Sequence, residues 1–137
     1  MKLTKKVLDN NRNIMSRRLA FQAIYAWDIN NSEIETITSF FDKEEEFKKC
    51  DNKYFNEIVT GVISHINEID ETINNCSKLN IDKIGRIELS IVRCAVYELS
   101  IRKILDKKII ISESLKLTKK FSTLEGVKFV NAIIDDI

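Results

Sequence analysis

The sequence predicts an all-α protein, a compact bundle of about seven helices packed around a central one. The chain contains no proline and only 3 glycines, so it lacks most of the residues that punctuate strand-and-turn proteins. In most segments its apolar residues recur every three to four positions, which is the helical period. At 137 residues, with 44% hydrophobic and 31% charged residues, the chain has the size and composition of one globular domain.

The stretch Arg86–Arg102 is the predicted central helix. At about 100° per residue its polar side chains form one narrow stripe, and the apolar side chains cover about 240° of the circumference. Because so wide an apolar surface needs neighbours on most sides, we expect these residues to be among the least accessible: Ile91, Val92, Ala95, Val96 and Leu99. Glu88 and Glu98 interrupt this surface. Each must find a hydrogen-bond donor or mark the contact site of a partner, because an unpaired buried carboxylate is costly.

Residues 1–15 are predicted to form a flexible basic arm ahead of a single helical domain at residues 16–137. The arm carries three lysines, one arginine and three asparagines, and its apolar period is too weak for a packed helix. The arm includes Arg12, a candidate contact for a polyanion.

The first helix of the domain is predicted to run from Ser16, its N-cap, to Asn30. One stripe of the helix is apolar and faces the core, while Arg18, Gln22 and Tyr25 lie together on an accessible flank. An arginine beside an aromatic ring suits a nucleic-acid surface, although Tyr25 could equally belong to the core.

Two further helices are predicted in the middle of the chain. The segment Ser32–Phe47 begins with the S-x-x-E pattern of a capping box. The segment Tyr54–Cys76 has the clearest period in the chain, with apolar residues in alternating steps of four and three, and predicts one long helix in a bundle. His65, the only histidine, flanks this apolar seam and is expected to be structural.

The C-terminal part predicts two more helices besides the central one. Residues 77–85 are a short connection into the central helix, and residues 103–108 are a polar loop after it. Ile109–Phe121 reads as a helix with its lysines pointing outward. The last helix is predicted to begin at Ser122, because this serine and Glu125 again match a capping box.

The net charge is only +1, but the basic and acidic residues are concentrated in different regions of the chain. Residues 1–18 and 102–128 are basic, whereas residues 28–57 are acidic, with four acids nearly consecutive at 42–46. This separation predicts a polyanion-binding face opposite an acidic one, although solvated helix faces would explain it equally well.

The chain carries no recognisable catalytic pattern. It has no glycine-rich phosphate loop and no Ser/His/Asp set. Cys50, Cys76 and Cys94 are too widely spaced to indicate a disulfide framework or a metal site, and Cys94 is expected to be an inert core thiol. Glu88 and Glu98 would lie about 15 Å apart along one helix, too far for an acid–base pair. We therefore expect no enzymatic activity and no cofactor.

The sequence also predicts where the protein works. No apolar run approaches the length needed to cross a bilayer, and residues 1–14 lack the apolar core of a signal peptide. An odd number of cysteines without a framework suits a reducing compartment. We therefore expect a cytoplasmic protein with no membrane partner.

Four stretches of the chain resemble the NusB family of bacterial transcription antitermination factors. The stretches are SRRLAFQAIYAWD at 16–28, YFNEIVTGV at 54–62, IELSIVRCAVYEL at 87–99 and KFVNAIIDDI at 128–137. Their order and spacing together are specific to the family, and the resemblance covers roughly residues 16–137. It implies an all-helical fold of two small helical subbundles that share the long central elements.

The resemblance also implies a function. Such proteins pair with the ribosomal protein NusE, and the pair binds boxA RNA in nascent rRNA transcripts. With other Nus factors and RNA polymerase they suppress termination in a larger complex. Together with the accessible positions noted above, the resemblance gives these predicted RNA-binding residues: Arg12, Arg17, Arg18, Gln22, Lys108, Lys119, Glu125, Lys128 and Phe129. The residues that it implies for the protein partner are Tyr25, Glu88 and Arg93.

Three interpretations of the function differ in their consequences. In the first, the chain is an antitermination factor that binds RNA and protein without catalysis. In the second, it is a NusB-like RNA-binding domain acting with a separate rRNA methyltransferase, which a methyltransferase in the neighbouring reading frame would support. In the third, it is a helical dimerisation module with no affinity for RNA. The chain ends at Ile137 without a methyltransferase domain, which favours the first.

Overall fold

The computed structural model describes residues 2–137, apart from the side chains of residues 2–4, 6 and 7. The chain divides into two helical units, of which the first extends to Thr60 and the second begins at Gly61. Within the described residues there are seven α-helices and no strand, which confirms the predicted all-α class.

The seven helices are α1 Lys2–Asn30, α2 Ile34–Asp42, α3 Asn52–Ser64, α4 Ile66–Cys76, α5 Arg86–Val96, α6 Lys107–Phe121 and α7 Leu124–Asp136. Three short helical segments lie between them: the 3-10 turns Glu45–Lys49 and Ile81–Lys83 and the π-helical segment Tyr97–Arg102. No helix in the part of the chain that the structure describes is long and apolar enough to span a membrane.

In the first unit, α1 begins earlier than predicted. It starts at Lys2, so the segment predicted as an arm is helical, and Ser16 lies inside the helix. The buried Ser16 hydroxyl donates to the Arg12 carbonyl at 2.8 Å and accepts the Asp51 backbone N–H at 2.8 Å. The predicted N-cap at Ser16 is therefore wrong, because Ser16 lies inside α1. Its hydroxyl instead links the middle of α1 to Asp51, the residue before α3.

The core of the first unit is aromatic where α2 and α3 meet. The Phe55 ring is buried, with its centroid 5.6 Å from that of Phe41 and 5.1 Å from that of Phe47, the latter pair edge to face. Helix α1 packs against α2 and the first 3-10 turn and buries these residues: Leu19, Ala20, Phe21, Ala23 and Ile24. Glu33 occupies the N-cap of α2 without a side-chain hydrogen bond, so the capping box predicted at Ser32 does not form.

In the second unit, α5 is the central helix, as predicted. It packs against α4, α6 and α7. Ile91, Val92, Ala95 and Val96 are buried as expected, whereas Leu99 is only half-buried. The prediction for Leu99 assumed a continuous α-helix, but the α-helix ends at Val96. In the π-helical segment that follows, successive side chains are separated by a smaller angle, so Leu99 lies at a different position around the axis.

The long helix predicted at 54–76 is interrupted. The backbone leaves the helical conformation at His65, with φ −114° and ψ 23°, and the His65 ring nitrogen Nδ1 lies 2.9 Å from the Gly61 carbonyl oxygen. A one-residue interruption hardly shifts the phase of the apolar period, so the sequence pattern continues across the break. Gly61 matters for a separate reason, since a Cβ at this position would overlap the Tyr97 ring. Glycine at this position therefore permits the close approach of the Tyr97 ring.

Candidate RNA and protein interfaces

Predicted RNA-binding residues occur in both units, and in the first unit they lie along α1. Arg12 is exposed, and its Nη2 is 3.5 Å from the Cys50 carbonyl oxygen. The Arg17 guanidinium lies 5.4 Å from the centroid of the Tyr54 ring, so its replacement would change packing as well as charge. Arg18 and Gln22 are half-buried and separated by one helical turn, which places them on the same side of α1.

Tyr25, predicted as a partner contact, continues the line of Arg18 and Gln22 on α1. Its spacing of three residues from Gln22 keeps it on the same flank, and its side chain is 36% exposed. Tyr25 is thus accessible on this flank, although the larger part of its surface is buried. The flank therefore combines a cation, an amide and an accessible aromatic ring.

In the second unit, the exposed face of α6 is a row of lysines. Lys108 and Lys119 are exposed and lie three turns apart, about 16 Å along the axis, on one side of the helix. Lys116 lies on the same side and pairs with Glu113 at 3.3 Å. The row presents several positive charges to solvent at a spacing that a nucleic-acid backbone can follow.

The predicted RNA-binding residues of α7 lie on its first two turns. Glu125 and Lys128 are exposed and Phe129 is half-buried. The helix is capped by Thr123, whose hydroxyl oxygen accepts the Gly126 N–H at 3.0 Å. The predicted capping box at Ser122 and Glu125 is therefore wrong by one residue.

The Ser122 hydroxyl is instead engaged by Glu88. It donates to Glu88 Oε1 at 2.5 Å and so ties the first turn of α5 to the residues that precede α7. Gly126 makes this contact possible, because a Cβ at this position would clash with the Ser122 hydroxyl and approach Glu88 Oε1 to 2.9 Å. The half-buried Glu88 carboxylate therefore has a hydrogen-bond donor, as expected for a carboxylate in the apolar surface of this helix. Nothing in the sequence signalled that the donor would be Ser122.

Arg93 has an internal partner. It is 5% exposed, and its Nε and Nη2 each donate to one carboxylate oxygen of Asp70 at 2.9 Å. This bidentate geometry across α4 and α5 is that of a strong charge-assisted pair. The burial argues against the predicted partner contact of Arg93. Sequence reasoning missed Asp70 because a pairing across 23 positions depends on how the two helices pack.

The three cysteines are free thiols with raised pKa values. Burial raises the pKa of Cys50, Cys76 and Cys94 above that of an ordinary thiol, and the nearby carboxylates of Asp136 and Glu98 raise it further at Cys76 and Cys94 respectively. A raised pKa keeps a thiol protonated and weakly nucleophilic at neutral pH. Within residues 2–137, no group of three or more histidine, cysteine or acidic side chains is arranged to hold a metal ion.

Known proteins similar to this chain identify its family. A model of the NusB family matches residues 15–137. A protein of Coxiella burnetii called transcription antitermination protein NusB is 38% identical over 120 residues, which is 88% of this chain and 87% of that protein. The protein of the same name from Shewanella amazonensis is 34% identical over 122 residues, covering 89% and 91%.

Solved structures give the same picture. The solution structure of NusB from Aquifex aeolicus is 26% identical, with a TM-score of 0.76 over 88% of this chain and 83% of the other. A crystal structure of the antitermination factors NusB and NusE in complex with double-stranded RNA contains a chain that is 25% identical, with a TM-score of 0.75 over 89% and 92%. The family match over residues 15–137 and these relatives at 38% and 34% identity together establish that this chain belongs to the NusB family.

Proposed function

We propose that this chain is a transcription antitermination factor that binds boxA RNA of nascent rRNA transcripts together with the ribosomal protein NusE. The observation that carries the proposal is the likeness to the structure of NusB and NusE with double-stranded RNA, alongside relatives called transcription antitermination proteins. In this proposal the chain acts in the cytoplasm, in a larger complex with other Nus factors and RNA polymerase, and performs no catalysis.

The electrostatics of both units support an RNA ligand. Neutralising backbone phosphates with lysine and arginine releases counterions, and this release supplies most of the sequence-independent affinity for nucleic acid. Arg12 and Arg18 offer such charges on α1, and Lys108, Lys119 and Lys128 offer them on α6 and α7. We assign sequence-dependent contacts to polar and aromatic groups at base edges and faces. The candidates for these contacts are Gln22, Glu125 and Phe129.

The lysine row of α6 gives a direct test of RNA binding. We expect Lys108→Ala with Lys119→Ala to weaken binding and to reduce the slope of log K against log salt by about 1.4, since each phosphate contact on a single strand contributes about 0.7. Thermal melting should stay unchanged, because both lysines are exposed. Fluorescence anisotropy of a labelled boxA RNA over a salt series measures affinity and slope together.

A matched control uses two lysines of the acidic region. Lys48→Ala with Lys49→Ala removes the same charge from exposed positions in the 3-10 turn of the first unit. This control should keep the parent slope. Equal losses in the two double variants would mean that only net charge matters and that α6 is not an RNA contact.

For the protein partner, we propose that Tyr25 and Glu88 each contribute a contact, and we leave Arg93 out because it is buried. Glu88 can be tested apart from its internal role. Glu88→Gln should lower NusE affinity by roughly 1.5–3 kcal/mol, the range for a hydrogen bond to a charged group. Ser122→Ala removes the internal donor but keeps the carboxylate, so it should leave NusE affinity near that of the parent.

Ser122→Ala should lose about 1–2 kcal/mol of stability because it removes the donor of the Ser122–Glu88 hydrogen bond. Glu88→Gln keeps an amide oxygen that accepts the Ser122 hydroxyl, so it should lose less. Calorimetric titration of NusE into each folded variant, with thermal melting beside it, separates the two roles. Parent-like NusE affinity in Glu88→Gln would limit this carboxylate to holding α5 against the start of α7.

A further inference from the structure

The two residues between α6 and α7, Ser122 and Thr123, are each bound to a different helix. The Ser122 backbone N–H donates to the Thr118 carbonyl at 2.8 Å and closes the last turn of α6. Thr123 caps α7, because its hydroxyl accepts the Gly126 N–H and its carbonyl accepts the Val127 N–H, both at 3.0 Å. Since no further residue lies between them, this α6–α7 turn cannot shift without moving the adjoining ends of both helices.

The Ser122 side chain connects this turn to a third helix. Its hydroxyl donates to Glu88 Oε1 at 2.5 Å, and Glu88 lies in the first turn of α5. Two glycines leave room for the carboxylate. A Cβ at Gly126 would lie 2.9 Å from Oε1, and a Cβ at Gly85 would lie 2.5 Å from Oε2. Because the carboxylate is so closely surrounded, its position depends on the position of the α6–α7 turn.

Both proposed interfaces adjoin this turn. Lys119 lies three residues before Ser122 in the last turn of α6, and Glu125 lies three residues after it in the first turn of α7. Both side chains are exposed and are predicted RNA contacts. Glu88 is the proposed NusE contact. One hydrogen bond therefore joins the carboxylate assigned to the protein partner to the backbone that carries two residues assigned to RNA.

The Glu88 carboxylate can serve Ser122 and NusE at the same time. An ionised carboxylate accepts about four hydrogen bonds, and Ser122 occupies one position on Oε1. A donor from NusE therefore does not need to displace the internal bond. Each donor holds the carboxylate in place for the other, because a long side chain that is already held has lost its rotamer freedom. The two contacts should therefore strengthen each other.

We infer that Ser122 is a positioning residue that couples the two ligands. NusE bound to Glu88 stabilises the α6–α7 turn in the position that binds RNA, and RNA bound at the turn favours NusE. This role rests on the proposed function and assigns part of its cooperativity to one hydrogen bond. Ser122 itself contacts neither ligand and acts through Glu88 and the turn. Coupling of this kind is reciprocal, so both ligands gain by the same factor.

Ser122→Ala tests the coupling separately from the affinity for either ligand alone. The full-length variant should bind boxA RNA alone, and NusE alone, with near-parent affinity. The gain in RNA affinity on adding saturating NusE should fall by about fivefold or more, the lower end of typical coupling factors. The gain in NusE affinity on adding RNA should fall by the same factor. Fluorescence anisotropy of labelled RNA and calorimetric titration of NusE measure the two gains at one salt concentration.

Two further variants separate coupling from stability. Thr123→Ala removes the cap of α7 and lowers stability but leaves the Ser122–Glu88 hydrogen bond in place, so it should keep both gains. Ser122→Thr retains a hydroxyl donor and should restore the gains that Ser122→Ala loses. All measurements are made well below the melting temperature of each variant, with circular dichroism to verify the fold.

The outcomes distinguish this role from the proposed function. A parent whose RNA affinity does not rise with NusE would contradict both. A parent that shows the gain, beside a folded Ser122→Ala variant that keeps it in full, would overturn the coupling role alone. RNA affinity that falls equally with and without NusE in this variant would also overturn it, because a purely structural loss acts on both states alike.

Discussion

Ile91→Asp is expected to leave the protein unfolded at room temperature. Ile91 is 1% exposed in α5, in the helix that packs on α4, α6 and α7. An aspartate there is without a partner, and desolvating it or protonating it consumes most of the few kcal/mol by which a domain of this size is stable. Far-UV circular dichroism and a thermal melt report the loss of cooperative structure.

Two control variants make this result specific. Ile91→Val should melt cooperatively and lose only about 0.5–1.5 kcal/mol, the usual cost of removing one buried methylene. Asn131→Asp places the same carboxylate on an exposed position of α7 and should be close to neutral. Cooperative melting of Ile91→Asp at the parent temperature would mean that α5 does not lie at the centre of the second unit.

Asp70→Ala is expected to be the second most damaging change. It removes the carboxylate to which the Arg93 guanidinium, 5% exposed, donates two hydrogen bonds of 2.9 Å. Removing one member of a buried pair typically costs about 3–5 kcal/mol. Because the Asp70 side chain is partly exposed, we expect about 2–4 kcal/mol here, measured by urea denaturation.

Replacing Asp70 and Arg93 together tests whether Arg93 only stabilises the fold or also binds NusE. Asp70→Leu with Arg93→Met substitutes apolar groups of similar length and should regain most of the lost stability. If Arg93 acts only inside the second unit, this double variant should bind NusE like the parent. Strongly reduced NusE affinity in the folded double variant would show that Arg93 does contact NusE.

The helical class and the central helix could be predicted because they depend on local patterns. The wide apolar surface of Arg86–Arg102 requires neighbours in any fold, and the structure supplies three helices around it. The start of α1 could not be predicted in this way. Residues 2–15 lack a clear apolar stripe, so nothing in their pattern distinguishes a helix from an irregular arm.

The cap predicted at Ser16 is wrong because α1 continues through this residue, and the cap predicted at Ser122 is wrong because its hydroxyl makes a tertiary contact instead. Ser16 bonds to Asp51, and Ser122 donates to Glu88, so neither caps a helix. Thr123 caps α7 instead, so the helix begins one residue later than predicted.

The residues of the candidate interfaces also differ in whether their exposure could be predicted from the sequence. The exposure of Lys108, Lys119 and Lys128 follows from helical spacing and could be anticipated from the sequence. The burial of Arg93 could not, because a cation on a polar stripe is equally compatible with solvent and with a carboxylate on the next helix. Asp70 becomes its partner only through the packing of α4 on α5.

The most direct test of the central claim is the affinity of the full chain for boxA RNA, measured with and without purified NusE at one fixed salt concentration. A scrambled RNA of equal length and a boxA duplex serve as controls, because affinities for nucleic acid are comparable only at the same salt. We predict weak binding by the chain alone and clearly tighter binding with NusE, with boxA RNA preferred over the scrambled sequence. Binding that NusE does not strengthen, or that is equal for boxA and scrambled RNA, would contradict the assignment of this chain as an antitermination factor.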